Sequence, residues 1–104
     1  MILYEMKPKR FSEAHRSPLL GELVCSNSLK ALDLRTAHGL LKEEMKRIGS
    51  LVIEAALQSR VPAGGALAVD REEFSRRITE RLEGMAEVEV VREEVVEVPP
   101  EGLV

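Results

Sequence analysis

Val61-Pro62-Ala63-Gly64-Gly65-Ala66-Leu67-Ala68-Val69-Asp70-Arg71-Glu72-Glu73 is the stretch that decides the fold class of this chain. Pro62 cannot continue a preceding helix, and Gly64-Gly65 supplies a tight turn. Ala66 to Val69 is a short apolar run that reads as a strand. Asp70 then stands where a carboxylate caps a helix, with Glu73 three residues later completing a capping-box-like pair. A strand running directly into a capped helix is the repeating unit of an α/β protein.

Outward from this stretch the same alternation continues. From about Ala37 to Ser59, Leu41, Met45, Ile48, Val52 and Ala55 recur at spacings of four and three, predicting one helix with a single apolar stripe. Thr36 can cap it, and Gly49 marks either a close contact with another backbone or a break. On the other side Phe74, Ile78, Leu82 and Met85 make a second stripe, and Gly84 offers a stop. Val88, Val90 and Val91, then Val95, Val96 and Val98, predict two β segments before Pro99-Pro100.

At the start, Ile2-Leu3-Tyr4 reads as a strand that stops at Glu5. Residues 7–35 carry Pro8, Pro18 and Gly21 with no sustained period, and predict a long irregular segment of the kind that is often functional. The element order is strand, loop, helix, strand, helix, strand, strand. It implies a partly parallel sheet with helices packed on it, in one domain spanning residues 1–104. With 44% apolar but only 3% aromatic residues, the core has to be aliphatic.

A net charge of −3 argues against binding nucleic acid by bulk electrostatics. The charge is uneven, however. Lys7, Lys9, Arg10, His15 and Arg16 make the first segment basic, and Glu93, Glu94, Glu97 and Glu101 make the end acidic. No apolar run reaches the roughly 18–20 residues of a membrane span, and Met1 to Glu5 lacks the regions of a signal peptide. One cysteine fits a reducing compartment. These features predict a soluble, cytoplasmic protein.

Cys25 lies in Glu22-Leu23-Val24-Cys25-Ser26-Asn27-Ser28-Leu29. A lone cysteine is either a small buried hydrophobe or a reactive thiol, and composition favours the first. Glu5 is a solvated strand-end carboxylate or, in a dinucleotide-binding fold, an acceptor for a ribose diol. Gly64-Gly65 is an ordinary turn or a close approach to a ligand. Arg71, at the start of its helix, is placed to face a ligand. His15 and His38 have no partners at metal-ligand spacing, so no metal site is expected. Neither a Gly-x-Ser-x-Gly elbow nor a phosphate-binding Gly-x-x-x-x-Gly-Lys loop occurs.

Several strings in order carry a resemblance: Leu3-Tyr4-Glu5-Met6, Ala14-His15, Glu22 to Leu29, Gly39-Leu40-Leu41-Lys42-Glu43-Glu44-Met45, Val61 to Arg71, and Val90-Val91-Arg92-Glu93-Glu94-Val95. Together they resemble the folate- and FAD-dependent tRNA (uracil-5-)-methyltransferases of the TrmFO or Gid family, and more distantly the MnmG or GidA flavoproteins. The resemblance implies part of a Rossmann-type FAD-binding domain. It also implies an enzyme that forms 5-methyluridine in the tRNA T-loop, with methylenetetrahydrofolate as one-carbon donor and NAD(P)H as reductant.

Carried onto this sequence, the resemblance puts Glu5 on the adenosine ribose of FAD and backbone groups of Val95 on the adenine. Arg71 would support the cofactor, and Cys25, with Ser26 and Asn27, would face the flavin as catalytic thiol or as its shield. Glu13 stands where members tend to carry Pro, and Thr36 where they tend to carry Asn. The glycine-rich first strand, turn and helix do not occur here, since Met1 falls where the second strand begins. A fragment inactive by itself is therefore expected. A small RNA-binding protein using Lys7 to Arg16, or a structural remnant without catalysis, is the alternative.

Overall fold

A computed structural model describes residues 1–97 of the chain. In chain order the elements are β1 (Ile2–Glu5), β2 (Ser28–Ala31), α1 (Ala37–Arg47), α2 (Leu51–Gln58), β3 (Arg60–Val61), β4 (Ala66–Val69), α3 (Arg71–Glu83) and β5 (Glu89–Arg92). The fold is mixed α/β with two sheets. β1 pairs with β5 in parallel, matching Ile2 with Glu89, Leu3 with Val90, Tyr4 with Val91 and Glu5 with Arg92. β2, β4 and β3 form an antiparallel sheet in that order.

The deciding stretch behaves as its residues dictate. Gly64 takes φ +61°, the left-handed conformation a glycine adopts without a Cβ penalty. Leu67 and Val69 on β4 are fully buried, each contributing on the order of 1.5–3 kcal/mol. The Asp70 carboxylate accepts from the Glu73 amide at 2.9 Å and starts α3. The reciprocal half of a capping box does not form. The Asp70 amide donates to the Ser59 carbonyl, and the Glu73 carboxylate pairs with Arg76 and Arg77 instead.

α3 turns Phe74 and Ile78 into a core completed by Ala55 and Ala56 of α2, Leu67 and Val69 of β4, and Leu20. Leu3 and Val90, from the parallel pair, pack on its edge. Gly84 ends α3, as its position suggested.

Four expectations need correction. The helix predicted over 37–59 is two helices, because Gly49 adopts φ +81° and Ser50 caps a new start through the Ile53 amide. The break removes the phase relation on which the long stripe depended. Leu41 and Ile48 are 56% and 84% exposed, while the buried positions of α1 are Gly39 and Lys42. Gly39 is drawn inward by backbone contact, since a Cβ there would overlap the carbonyl of Asp33.

The irregular segment 7–35 contains the unanticipated β2. Its pattern is obscured by Lys30 at φ +72° and by a register shift between Ser28 and Ala31. The one partly parallel sheet implied by the element order is two sheets, a parallel pair and an antiparallel sheet that contains β4. Val95 and Val96 are exposed and form no strand, and Val98 lies outside the described residues.

Candidate functional site

Parallel strands bind ligands beyond their carboxyl ends, and β1 and β5 finish side by side at Glu5 and Arg92. Three chain segments converge there. The Lys7 side chain turns inward and is 2% exposed overall. Its ammonium donates to the Leu19 carbonyl at 2.8 Å and to Glu22 Oε2 at 3.2 Å, and lies 4.0 Å from Glu5 Oε2. Removing one partner of so buried an ion pair costs about 3–5 kcal/mol.

The Glu22 carboxylate also takes the amides of Arg16 at 2.7 Å and Ser17 at 3.0 Å. Burial by itself would raise its pKa. The Arg16 amide, the Lys7 ammonium and the Ser17 amide outweigh that and hold the carboxyl below its ordinary value. Arg92 closes the cluster by donating to the carbonyls of Pro18 at 2.7 Å and Lys7 at 3.3 Å, with Glu83 of α3 at 3.4 Å.

Glu5 points into this cluster. Its Oε1 accepts from the Lys7 amide at 3.1 Å. A carboxylate offers about four lone-pair sites, so acceptor capacity for a diol remains. Beyond β5 the chain passes Glu94, which pairs with Arg10 at 3.1 Å, and reaches the exposed Val95. Glu5 ends β1 at the same end of the sheet from which the chain leaves β5 toward Val95.

Cys25 is exposed, which overturns the buried-hydrophobe reading favoured by composition. Its neighbours are tied down by local and sheet contacts. Ser26 Oγ accepts from the Ser28 amide, and Asn27 bonds Val69 through both its side chain and its carbonyl. Arg71 reaches the Leu23 carbonyl at 3.4 Å and helps line a cleft of about 320 Å³ with Arg16, Ser17, Glu22 and Ser75. The anticipated residues therefore fall apart: Glu5 stands at the sheet end, Val95 lies exposed beyond the end of β5, and Cys25, Ser26 and Asn27 sit on the strap between α3 and β2. Arg71 touches that strap, and no hydrogen bond joins Glu5 to it directly.

Lys7, Glu22 and Arg92 are the residues that motif reading missed as a unit. Lys7 looked like one more member of a basic segment, and no local spacing announces a partner at Glu22. Burial of Lys7, together with the pairing of Arg10 to Glu94, dismantles that segment as a continuous basic surface. Among the described residues no helix is long and apolar enough to cross a membrane, and no group of three or more His, Cys, Asp or Glu side chains is arranged so that it could hold a metal ion.

A mixed α/β chain with a strand-end carboxylate beside a parallel neighbour has the outline of a Rossmann-type nucleotide-binding domain. The sequence profile of the family described as "Glucose inhibited division protein A" matches residues 2–104, and the chain belongs to that family. It is 60% identical over 103 residues to the methylenetetrahydrofolate–tRNA-(uracil-5-)-methyltransferase TrmFO of Geobacter sulfurreducens, a match that covers 99% of this chain and 24% of that protein. Proteins of the same name from Geotalea uraniireducens and Aquifex aeolicus are 59% and 56% identical over 104 residues, all of this chain and 24% and 23% of theirs. The chain thus spans about a quarter of the length of these relatives.

Proposed function

We propose that this chain forms part of the FAD-binding domain of a folate-dependent tRNA (uracil-5-)-methyltransferase acting in the cytoplasm. The observation that carries the reading is near-60% identity along essentially the whole chain to proteins that bear that name. The placement of Glu5 beside β5 supports it, because a ribose-binding carboxylate belongs at a parallel strand end.

In this reading Glu5 accepts hydrogen bonds from the ribose diol of FAD, and backbone groups of Val95 meet the adenine. Arg71 steadies the cofactor from the first turn of α3, and Cys25, flanked by Ser26 and Asn27, faces the flavin. Bound FAD would supply the redox chemistry, with methylenetetrahydrofolate and NAD(P)H as co-substrates and tRNA as acceptor. The part this chain plays is to bind, orient and present a thiol.

The test is a chimera in which these 104 residues replace the matched segment of the Geobacter sulfurreducens relative. Flavin retention and folate-dependent 5-methyluridine formation in unmodified tRNA are expected. A folded chimera that binds neither flavin nor tRNA would overturn the reading.

A further inference from the structure

Lys7 is placed where its charge has work to do beyond burial. Its backbone amide holds Glu5, its carbonyl takes Arg92, and its ammonium sits against the Leu19 carbonyl and Glu22. Glu22 in turn gathers the amides of Arg16 and Ser17, closing the turn that leads through Leu23 and Val24 to Cys25. Leu23 is held from the other side by Arg71. One buried ammonium therefore joins the strand-end carboxylate to the segment that presents the thiol. The other contacts at the Glu22 carboxylate are the backbone amides of Arg16 and Ser17, which no side-chain substitution at positions 16 or 17 removes.

We propose that Lys7 is a positioning residue that sets the Cys25 segment through Glu22, and that the Lys7–Glu22 pair couples occupancy at Glu5 to the placement of the thiol. The inference rests on the reading of Cys25 as the flavin-facing thiol. The physical basis is that a buried pair with its hydrogen bonds made has one geometry, whereas an exposed pair has many. A diol hydrogen-bonded to Glu5 draws on the same carboxylate that lies 4.0 Å from the Lys7 ammonium. Its arrival strengthens the share of that ammonium held by Glu22 and tightens the Arg16–Glu22 turn.

The experiment uses the chimera described above, with Lys7→Met, Lys7→Arg, Glu22→Gln and Cys25→Ala variants. Two quantities are read: steady-state methylation, and the rate at which iodoacetamide alkylates Cys25 with and without saturating adenosine diphosphate ribose. The expected result for flavin-loaded Lys7→Met is a fall in kcat of roughly ten- to a hundredfold with the KM for tRNA unchanged. In the flavin-free Lys7→Met chimera, where the nucleotide can reach Glu5, the alkylation rate should no longer respond to it. Lys7→Arg should restore most of the response, which a simple loss of packing would not predict. Glu22→Gln keeps the shape of the site and should reproduce the defect should Lys7→Met fail to fold. Unchanged kcat and a preserved nucleotide response in folded Lys7→Met or Glu22→Gln would overturn the proposal. Full activity in Cys25→Ala would instead overturn the role of the thiol, and the alkylation response of the Lys7 and Glu22 variants would still decide the coupling.

Discussion

Glu5 and Arg92 stand opposite each other at the carboxyl ends of two parallel strands, yet their side chains do not pair. Arg92 turns to the carbonyls of Pro18 and Lys7, and Glu5 to the Lys7 amide. The guanidinium thereby fastens the loop to the sheet and leaves the carboxylate its remaining acceptor sites. Arg92→Met keeps the apolar stem and removes these bonds. A loss on the order of 1–3 kcal/mol is expected in a urea titration of the chain.

Two glycines predict opposite causes for a similar loss. Gly39→Ala places a methyl group against the Asp33 carbonyl, so backbone has to move, and overpacking of this kind costs about 1–3 kcal/mol. It does so although alanine is the better helix former by about 1 kcal/mol. Gly49→Ala meets nothing within 4 Å but must hold φ +81°, at a cost of roughly 1–2 kcal/mol. Gly65→Ala, with open space and no positive φ, is the neutral control. Urea midpoints of the three variants check the order.

Stability should depend on pH through Glu22. Its folded pKa lies below the ordinary 4.5, so its contribution is present above that value and is lost as pH falls through the lower, folded pKa. Glu22→Gln should flatten the acid side of a stability-against-pH curve while lowering stability at neutral pH. A Glu22→Gln curve parallel to that of the parent chain would contradict the assignment.

Asp70→Ala removes the acceptor for the Glu73 amide at the start of α3. A loss of about 0.5–2 kcal/mol is expected. Asp70→Asn, which retains an oxygen acceptor, should recover most of it in the same titration.

Cys25 should react with a thiol reagent in the native chain, at a rate insensitive to low urea, because the residue is exposed. A rate that climbs with urea would mean that the thiol is reached only through local opening. Cys25→Ala should change stability by less than about 0.5 kcal/mol, as expected for a surface substitution.

What the sequence determined by itself was whatever depends on neighbours along the chain. Asp70 and Thr36 cap helices, Gly84 ends one, Ala66 to Val69 form a strand, and Phe74 and Ile78 face the core. Each follows from the geometry of one or two turns. The short strings around Cys25 and Gly64-Gly65 were long enough to point to the family.

Tertiary structure alone decided the rest, because it depends on partners far apart in sequence. Whether Leu41 and Ile48 are buried depended on a break at Gly49 and on how α1 lies against Asp33. That Ser28 to Ala31 is a strand depended on β4, which lies far along the chain and supplies its hydrogen bonds. Lys7 read as a surface base until Glu22 and the Leu19 carbonyl closed over it. A charge is assigned to solvent or to the interior by what surrounds it in space, and no local pattern carries that information.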